Sequence, residues 1–121
     1  MAKLEKEIMA ETRLTLDRLE SAGAVLWYER LNSGKVRTEY NSYIQMCRIG
    51  TPDFIAILKG GYIYFIEAKS DTGSQSTAQL NFQRNVEKWA TYEIVRDVKQ
   101  IKNTVEKLTG FYGNKLKEII F

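Results

Sequence analysis

The chain has 121 residues, of which 18 are Lys or Arg and 15 are Asp or Glu, so its formal net charge is +3. This length allows one domain, and an apolar fraction of 44% excludes intrinsic disorder. Histidine is absent and Cys47 is the single cysteine, which excludes His-dependent triads and dyads, disulfide frameworks, and zinc sites that are cysteine-rich or have imidazole ligands. Any catalysis would have to use carboxylates, lysines and hydroxyls, alone or with a hard metal ion bound through oxygen.

The first half of the chain predicts one helix followed by short strands. A helix over residues 4–20 carries an apolar stripe of Leu4, Ile8, Leu16 and Leu19, and Gly23 ends it. Then come a strand at 24–30, a turn at 32–34 and short, partly exposed strands at 36–40 and 43–47. No run of about 20 apolar residues and no signal-peptide core is present. We therefore expect a cytoplasmic protein with no membrane partner.

The second half predicts a strand hairpin, then a helix, a strand and a helix. The apolar run 53–58 predicts a central strand buried on both faces, 59–61 its turn and 62–69 the return strand. A helix from the cap Ser76 to about Trp89, a strand at 91–96, a helix at 98–109 and an apolar tail at 114–121 follow. The order indicates an α/β (α+β) domain with a small mixed sheet flanked by helices, and a core that includes Trp27, Phe82 and Trp89.

The hairpin brings two carboxylates together. With the turn at 59–61, Asp53 faces Glu67 across the strand pair, where opposed Cβ atoms lie about 4.5–5.5 Å apart. Lys69 follows Glu67 by two residues and so projects from the same face. Two carboxylates this close repel unless one is protonated or a cation lies between them. The ordinary alternative is a cross-strand ion pair shared with Lys69, although polar groups that interrupt apolar strands are costly.

A metal ion held by these carboxylates would be hard and bound through oxygen, as Mg²⁺ or Mn²⁺ is. Such an ion can polarise a phosphodiester, and Lys69 can orient or deprotonate a water or stabilise developing charge. The group therefore suits phosphodiester hydrolysis without histidine.

The motif Gly50-Thr51-Pro52-Asp53 followed by Glu67-Ala68-Lys69 resembles the core of the PD-(D/E)XK nuclease superfamily, in particular the VRR-NUC family. That family shows a G-x-P-D turn, an apolar strand, a short hairpin, E-x-K, a polar loop and a helix with a glutamine. The resemblance covers about residues 4–96 of one domain spanning 1–121, and leaves 97–121 as an extension. The sequence departs from the family pattern at two places. It has Ala90-Thr91 where a glycine is expected, and its segment 35–49 is longer and more aromatic than expected.

The resemblance implies an endonuclease that cuts DNA with Mg²⁺ or Mn²⁺ and no organic cofactor. By position, Asp53, Glu67 and the Ala68 backbone carbonyl would be metal ligands, Lys69 the catalytic lysine and Gln79 the helix glutamine near the site. The family also places an acidic residue on the first helix, for which Glu5, Glu7 and Glu11 are alternatives. The helical wheel and the E-x-x-I spacing with Ile8 favour Glu5, which would act in catalysis and add a further metal ligand.

Basic residues precede the site, and Arg30, Lys35, Arg37 and Arg48 would contact phosphates. Tyr40 and Tyr43 would stack on unpaired bases, or else pack at a dimer contact. Family resemblance and symmetry suggest a homodimer acting on branched DNA such as a Holliday junction, in a phage-encoded protein working in the host cytoplasm. The alternatives are a catalytically silent nucleic-acid-binding module and a viral interaction protein.

Overall fold

The structure is a computed structural model that describes residues 3–31 and 34–110. Within these ranges the elements are α1 Glu5–Ser21, β1 Val25–Arg30, β2 Lys35–Arg37, β3 Tyr43–Gln45, β4 Phe54–Leu58, β5 Ile63–Ala68, α2 Thr77–Val86, β6 Thr91–Val95 and α3 Lys99–Thr109. The expected tail at 114–121 and two residues of the expected turn, 32–33, lie outside the described residues. None of the helices in these ranges is long and apolar enough to cross a membrane.

Four strands form a mixed sheet in the order β1-β4-β5-β6. The pairs β1–β4 and β4–β5 are antiparallel, whereas β6 runs parallel to β5 after the α2 crossover. β2 and β3 pair with each other in a separate two-stranded sheet. The predicted small mixed sheet flanked by helices is confirmed.

The predicted register of the β4–β5 hairpin is confirmed. Phe54 pairs with Ile66 and Ile57 with Ile63, and the Leu58 amide donates to the Tyr62 carbonyl at 2.8 Å. The turn works because Gly60 and Gly61 have φ values of 93° and 87°, which side-chain-bearing residues rarely adopt. The turn therefore sets which side chains share a face of the sheet.

The main core lies between one sheet face and the two helices α1 and α3. The helices contribute their predicted apolar stripes, and the strands contribute alternate residues; the buried members include Ile8, Leu16, Leu19, Ile101, Val105, Phe54, Ala56, Leu58, Tyr64 and Ile66. Each large apolar side chain buried in this way stabilises the fold by about 1.5–3 kcal/mol relative to exposure. Leu4 is the one residue of the predicted α1 stripe that is not buried. It is 56% exposed because it precedes the first helical residue.

The opposite sheet face carries α2, which Ser76 caps as predicted. The Ser76 hydroxyl accepts from the Gln79 amide at 3.1 Å, and the Gln79 side chain accepts from the Ser76 amide at 2.9 Å. Phe82 packs edge-to-face on Phe65 of β5, with ring centroids 5.1 Å apart. α2 buries no residue completely, so it covers this sheet face only in part. The expectation that β4 is buried on both faces is therefore wrong for Ile55 and Ile57, which are only partly buried.

Two tryptophans assigned to the core from the sequence lie at the surface. Trp27 is 46% exposed, because it pairs with Ile57 on the sheet face that α2 covers only in part. Trp89 is 87% exposed, because α2 ends at Val86 and leaves Trp89 in the following turn. Both assignments are wrong because α2 covers less of the second sheet face, and ends earlier, than the apolar pattern suggests.

Candidate active site

Asp53 is held rigidly at the end of the β4–β5 hairpin. It lies one residue before β4, at the position that continues the Phe54–Ile66 pairing toward Glu67. Its carboxylate Oδ2 accepts from the Ala68 amide at 2.8 Å, and its carbonyl accepts from the Leu31 amide at 2.7 Å. These two bonds fix both the backbone and the side chain of Asp53, so the carboxylate is positioned before any ligand arrives.

The turn before Asp53 packs against the start of α2. Gly50 is buried with a φ of 96°, and a Cβ there would come within 2.5 Å of the Ala78 carbonyl oxygen. Pro52 is buried, and the Thr51 hydroxyl donates to the Arg48 carbonyl at 2.7 Å. Glycine at position 50 therefore allows the close approach that brings the first turn of α2 beside the carboxylates.

Glu67 is a buried carboxylate with only one hydrogen-bonded oxygen. It is 3% exposed, and its Oε1 accepts from Gln79 Nε2 at 2.5 Å. Its Oε2 is buried and has no hydrogen-bond partner among the residues that the structure describes. Burial, and secondarily the Asp53 carboxylate, raises the pKa of Glu67 to about 8, and Lys69 opposes that rise. The ionised form of Glu67 is thus poorly compensated by the protein itself.

The pKa of Asp53 is also raised, chiefly by burial. The hydrogen bond from the Ala68 amide and the charge of Arg30 counteract this, and Arg30 Nη1 lies 3.7 Å from Asp53 Oδ1. Two neighbouring carboxylates that both resist ionisation form a pair that a cation between them would stabilise.

Lys69 is the expected third member of the group. Its Nζ lies 3.9 Å from Glu67 Oε1 and 4.0 Å from Glu5 Oε1, and its side chain is 12% exposed. Of the three helix carboxylates considered from the sequence, Glu5 is the one placed beside Lys69. Glu7 is exposed, and Glu11 is paired with Lys3 at 2.6 Å. The structure thus brings Asp53, Glu67, Lys69, Gln79 and Glu5 into one group.

The basic residues expected to contact phosphates do not all share one surface. Arg30 lies at the site, with its guanidinium 5.7 Å from the centre of the Phe54 ring. Lys35 and Arg37 are exposed on β2 of the two-stranded sheet, and Arg48 is exposed near the start of α2. In the same region Tyr40 is 84% exposed and Tyr43 66% exposed. Only Arg30 is therefore placed directly beside the carboxylates.

Some residues near the site were not found from the sequence. Burial raises the pKa of Tyr92, and the charges of Glu67 and Asp53 raise it further, so the phenol lies within electrostatic reach of the carboxylates. Lys6 and Arg13 border a cleft beside Asp53. All three fall on patterns that an ordinary strand or exposed helix face also shows, so no sequence signal distinguished them.

The residues present suit a hard metal ion. Glu67 Oε2, a buried oxygen without a hydrogen-bond partner, and the adjacent Asp53 carboxylate would supply two anionic ligands. The Ala68 amide points to Asp53, and since the N–H and C=O of a strand residue point to the same side, its carbonyl is directed there too. No group of three or more His, Cys, Asp or Glu that could hold a metal occurs among residues 3–31 and 34–110. Mg²⁺ can bind through one or two carboxylates because it retains several waters.

No protein-family model, curated protein or solved structure matches this chain. Function must therefore be inferred from the side chains that meet at the end of the β4–β5 hairpin.

Proposed function

We propose that this protein is a Mg²⁺- or Mn²⁺-dependent endonuclease that hydrolyses phosphodiester bonds in DNA. The observation that carries the proposal is the buried Glu67 carboxylate, whose Oε2 lacks a partner among the described residues while Asp53 and Lys69 lie beside it. An ion pair with Lys69 still leaves Glu67 Oε2 without a hydrogen-bond partner among the described residues. Lys69 Nζ is 3.9 Å from Glu67 and 4.0 Å from Glu5, beyond hydrogen-bond distance of both carboxylates.

Each residue has a role that follows from its place. Asp53, Glu67 and the Ala68 carbonyl would hold the cation, which when bound polarises the phosphodiester. Gln79 fixes the orientation of Glu67 through its hydrogen bond at 2.5 Å. Lys69 Nζ would donate to a phosphate oxygen as an ammonium group or, as the neutral amine, accept the proton of the attacking water. Glu5, 4.0 Å from Lys69, would hold that ammonium group in place or bind a further ion through its exposed carboxylate.

The resemblance to the VRR-NUC family supports the same activity, and with it a PD-(D/E)XK-type core. The resembling residues are not scattered on the surface. The Gly50–Asp53 turn contacts the start of α2, Glu67 accepts from Gln79, and Lys69 borders Glu67. A chance match of short motifs would not require these three segments to meet.

We infer that the substrate is branched DNA, such as a Holliday junction, cut by a homodimer. One chain with one site cuts one strand, so paired cuts require two copies. The exposed Tyr40 and Tyr43, with the basic Lys35 and Arg37 between β1 and β4, suit unpaired bases and phosphates near a branch point.

One observation favours a second function. Within the described residues there is no three-carboxylate metal group, as a nucleic-acid-binding module without catalytic activity would also show. Mg²⁺ titration by calorimetry separates the two functions, because the endonuclease must bind the ion through Asp53 and Glu67 and the silent module need not.

The test is cleavage of a labelled panel of single strand, duplex, 5′ flap, 3′ flap and four-way junction with Mg²⁺, Mn²⁺ or EDTA. Asp53→Asn and Lys69→Ala should each lower metal-dependent cutting by about 100-fold or more. The matched controls Asp71→Asn and Lys88→Ala, at exposed positions outside the site, should cut normally. Binding without cutting under either metal would refute the endonuclease and favour the silent module.

A further inference from the structure

An open cleft of about 430 Å³ adjoins the carboxylate group. One wall is α1, which contributes Glu5, Lys6, Met9, Ala10 and Arg13. The Glu5 carboxylate in this wall lies 4.0 Å from Lys69 Nζ. Lys6 and Arg13 are seven residues apart, so they lie on one helix face, about 10 Å apart along the axis. Met9 and Ala10 lie between them and give this wall an apolar middle.

The opposite wall leads directly to Asp53. It is formed by Arg30, Asp53 and Phe54 at the adjoining ends of β1 and β4. The Arg30 guanidinium lies 5.7 Å from the centre of the Phe54 ring and 3.7 Å from Asp53 Oδ1. This wall therefore offers a cation next to the expected cleavage position.

The cations on α1 are available for an anionic ligand. Lys6 and Arg13 are exposed, and neither forms an ion pair with any residue in the part of the chain that the structure describes. By contrast, Lys3, which lies two residues before α1, is paired with Glu11 at 2.6 Å. The apolar middle of the α1 wall thus has a cation at each end. Along a nucleic-acid strand, sugars and bases alternate with phosphates in the same way.

We propose that this cleft binds one strand of the substrate, with Lys6 and Arg13 contacting phosphates that flank the one held at Asp53. This inference rests on the proposed function and adds the path of the strand to it. The cleft volume is at the lower end of the range of pockets that hold one small ligand, which suits a single strand and not a duplex.

The experiment is fluorescence anisotropy with a labelled single-stranded oligonucleotide and the matching duplex in EDTA, over a series of salt concentrations. Lys6→Ala and Arg13→Ala should each weaken binding to the single strand several-fold. Each should also reduce the slope of log affinity against log salt by about 0.7, the value for one lost phosphate contact. The matched controls Lys107→Ala and Arg84→Ala remove exposed charges outside the cleft and should leave affinity and slope nearly unchanged.

Equal losses in the cleft variants and the controls would show binding to overall charge and overturn the inference. Unchanged binding in Lys6→Ala and Arg13→Ala, equal affinity for strand and duplex, or no binding at all would overturn it as well. The proposed endonuclease is judged separately, by wild-type cutting with Mg²⁺ and its loss in Asp53→Asn. The strand path can therefore fail while the enzyme stands.

Discussion

Replacing Glu67 by Gln tests whether groups of the protein alone stabilise the negative charge of the buried Glu67 carboxylate. The variant keeps the side-chain size and an oxygen that accepts from Gln79, and it removes the charge. In the metal-free protein, burial raises the pKa of Glu67 from its ordinary 4.5 to about 8. Because the folded pKa is the higher one, Glu67 stabilises the fold fully below pH 4.5, and this contribution is lost as the pH rises toward 8.

The expected size of this loss follows from the two pKa values. Their difference corresponds to about 5 kcal/mol of unfolding free energy above pH 8, and to about 3 kcal/mol at pH 7. A domain is stable by about 5–15 kcal/mol in total, so the effect is large enough to measure. Glu67→Gln has no such loss and should be more stable than the wild type at pH 8, with the difference vanishing near pH 4.

The assay is urea unfolding followed by circular dichroism from pH 4 to 9 in EDTA, with the exposed Asp71→Asn as a control. Added Mg²⁺ or Mn²⁺ should stabilise the wild type at pH 8, by about 2.7 kcal/mol at 100 times the dissociation constant. It should leave Glu67→Gln almost unchanged. A stability difference between the two proteins that does not vary with pH would refute the reasoning, because Glu67 would then be compensated within the fold.

Three further substitutions test how the site and the core are supported. Gly50→Ala should destabilise by about 2–4 kcal/mol in thermal melting, because it adds both backbone strain at a φ of 96° and an overlap with α2. Gly23→Ala is the control, since its φ is 85° but nothing lies within 4 Å, and an equal loss in both would contradict the overlap. Gln79→Ala should cost about 1–2 kcal/mol and, if the protein is the proposed endonuclease, lower kcat more than it raises KM, because it removes half of the capping box and the hydrogen bond that orients Glu67. An unchanged kcat would show that Gln79 has no role in the proposed reaction. Tyr64→Phe should cost about 1–3 kcal/mol in urea unfolding, because the buried hydroxyl donates to Glu93; a neutral result would mean that water replaces it.

The local patterns in the sequence determined most elements and the pairing at the site. Gly60 and Gly61 permit only a short turn, and that turn with the apolar alternation sets the register that places Asp53 opposite Glu67. Ser76 followed by Gln79 marks the start of α2, and the stripe at Ile8, Leu16 and Leu19 marks the buried side of α1. These features depend on turn geometry and on periodicity, which neighbouring residues alone specify.

Only the tertiary structure decided which side chains from different elements contact each other and which remain exposed. The burial of Glu67, its bond to Gln79 and the place of Glu5 beside Lys69 depend on how α1 and α2 approach the hairpin. The exposure of Trp89 depends on where α2 ends, and the cleft along α1 on the space left between that helix and the sheet. Such distances between segments far apart in the chain follow from packing of the whole domain, which no local pattern encodes.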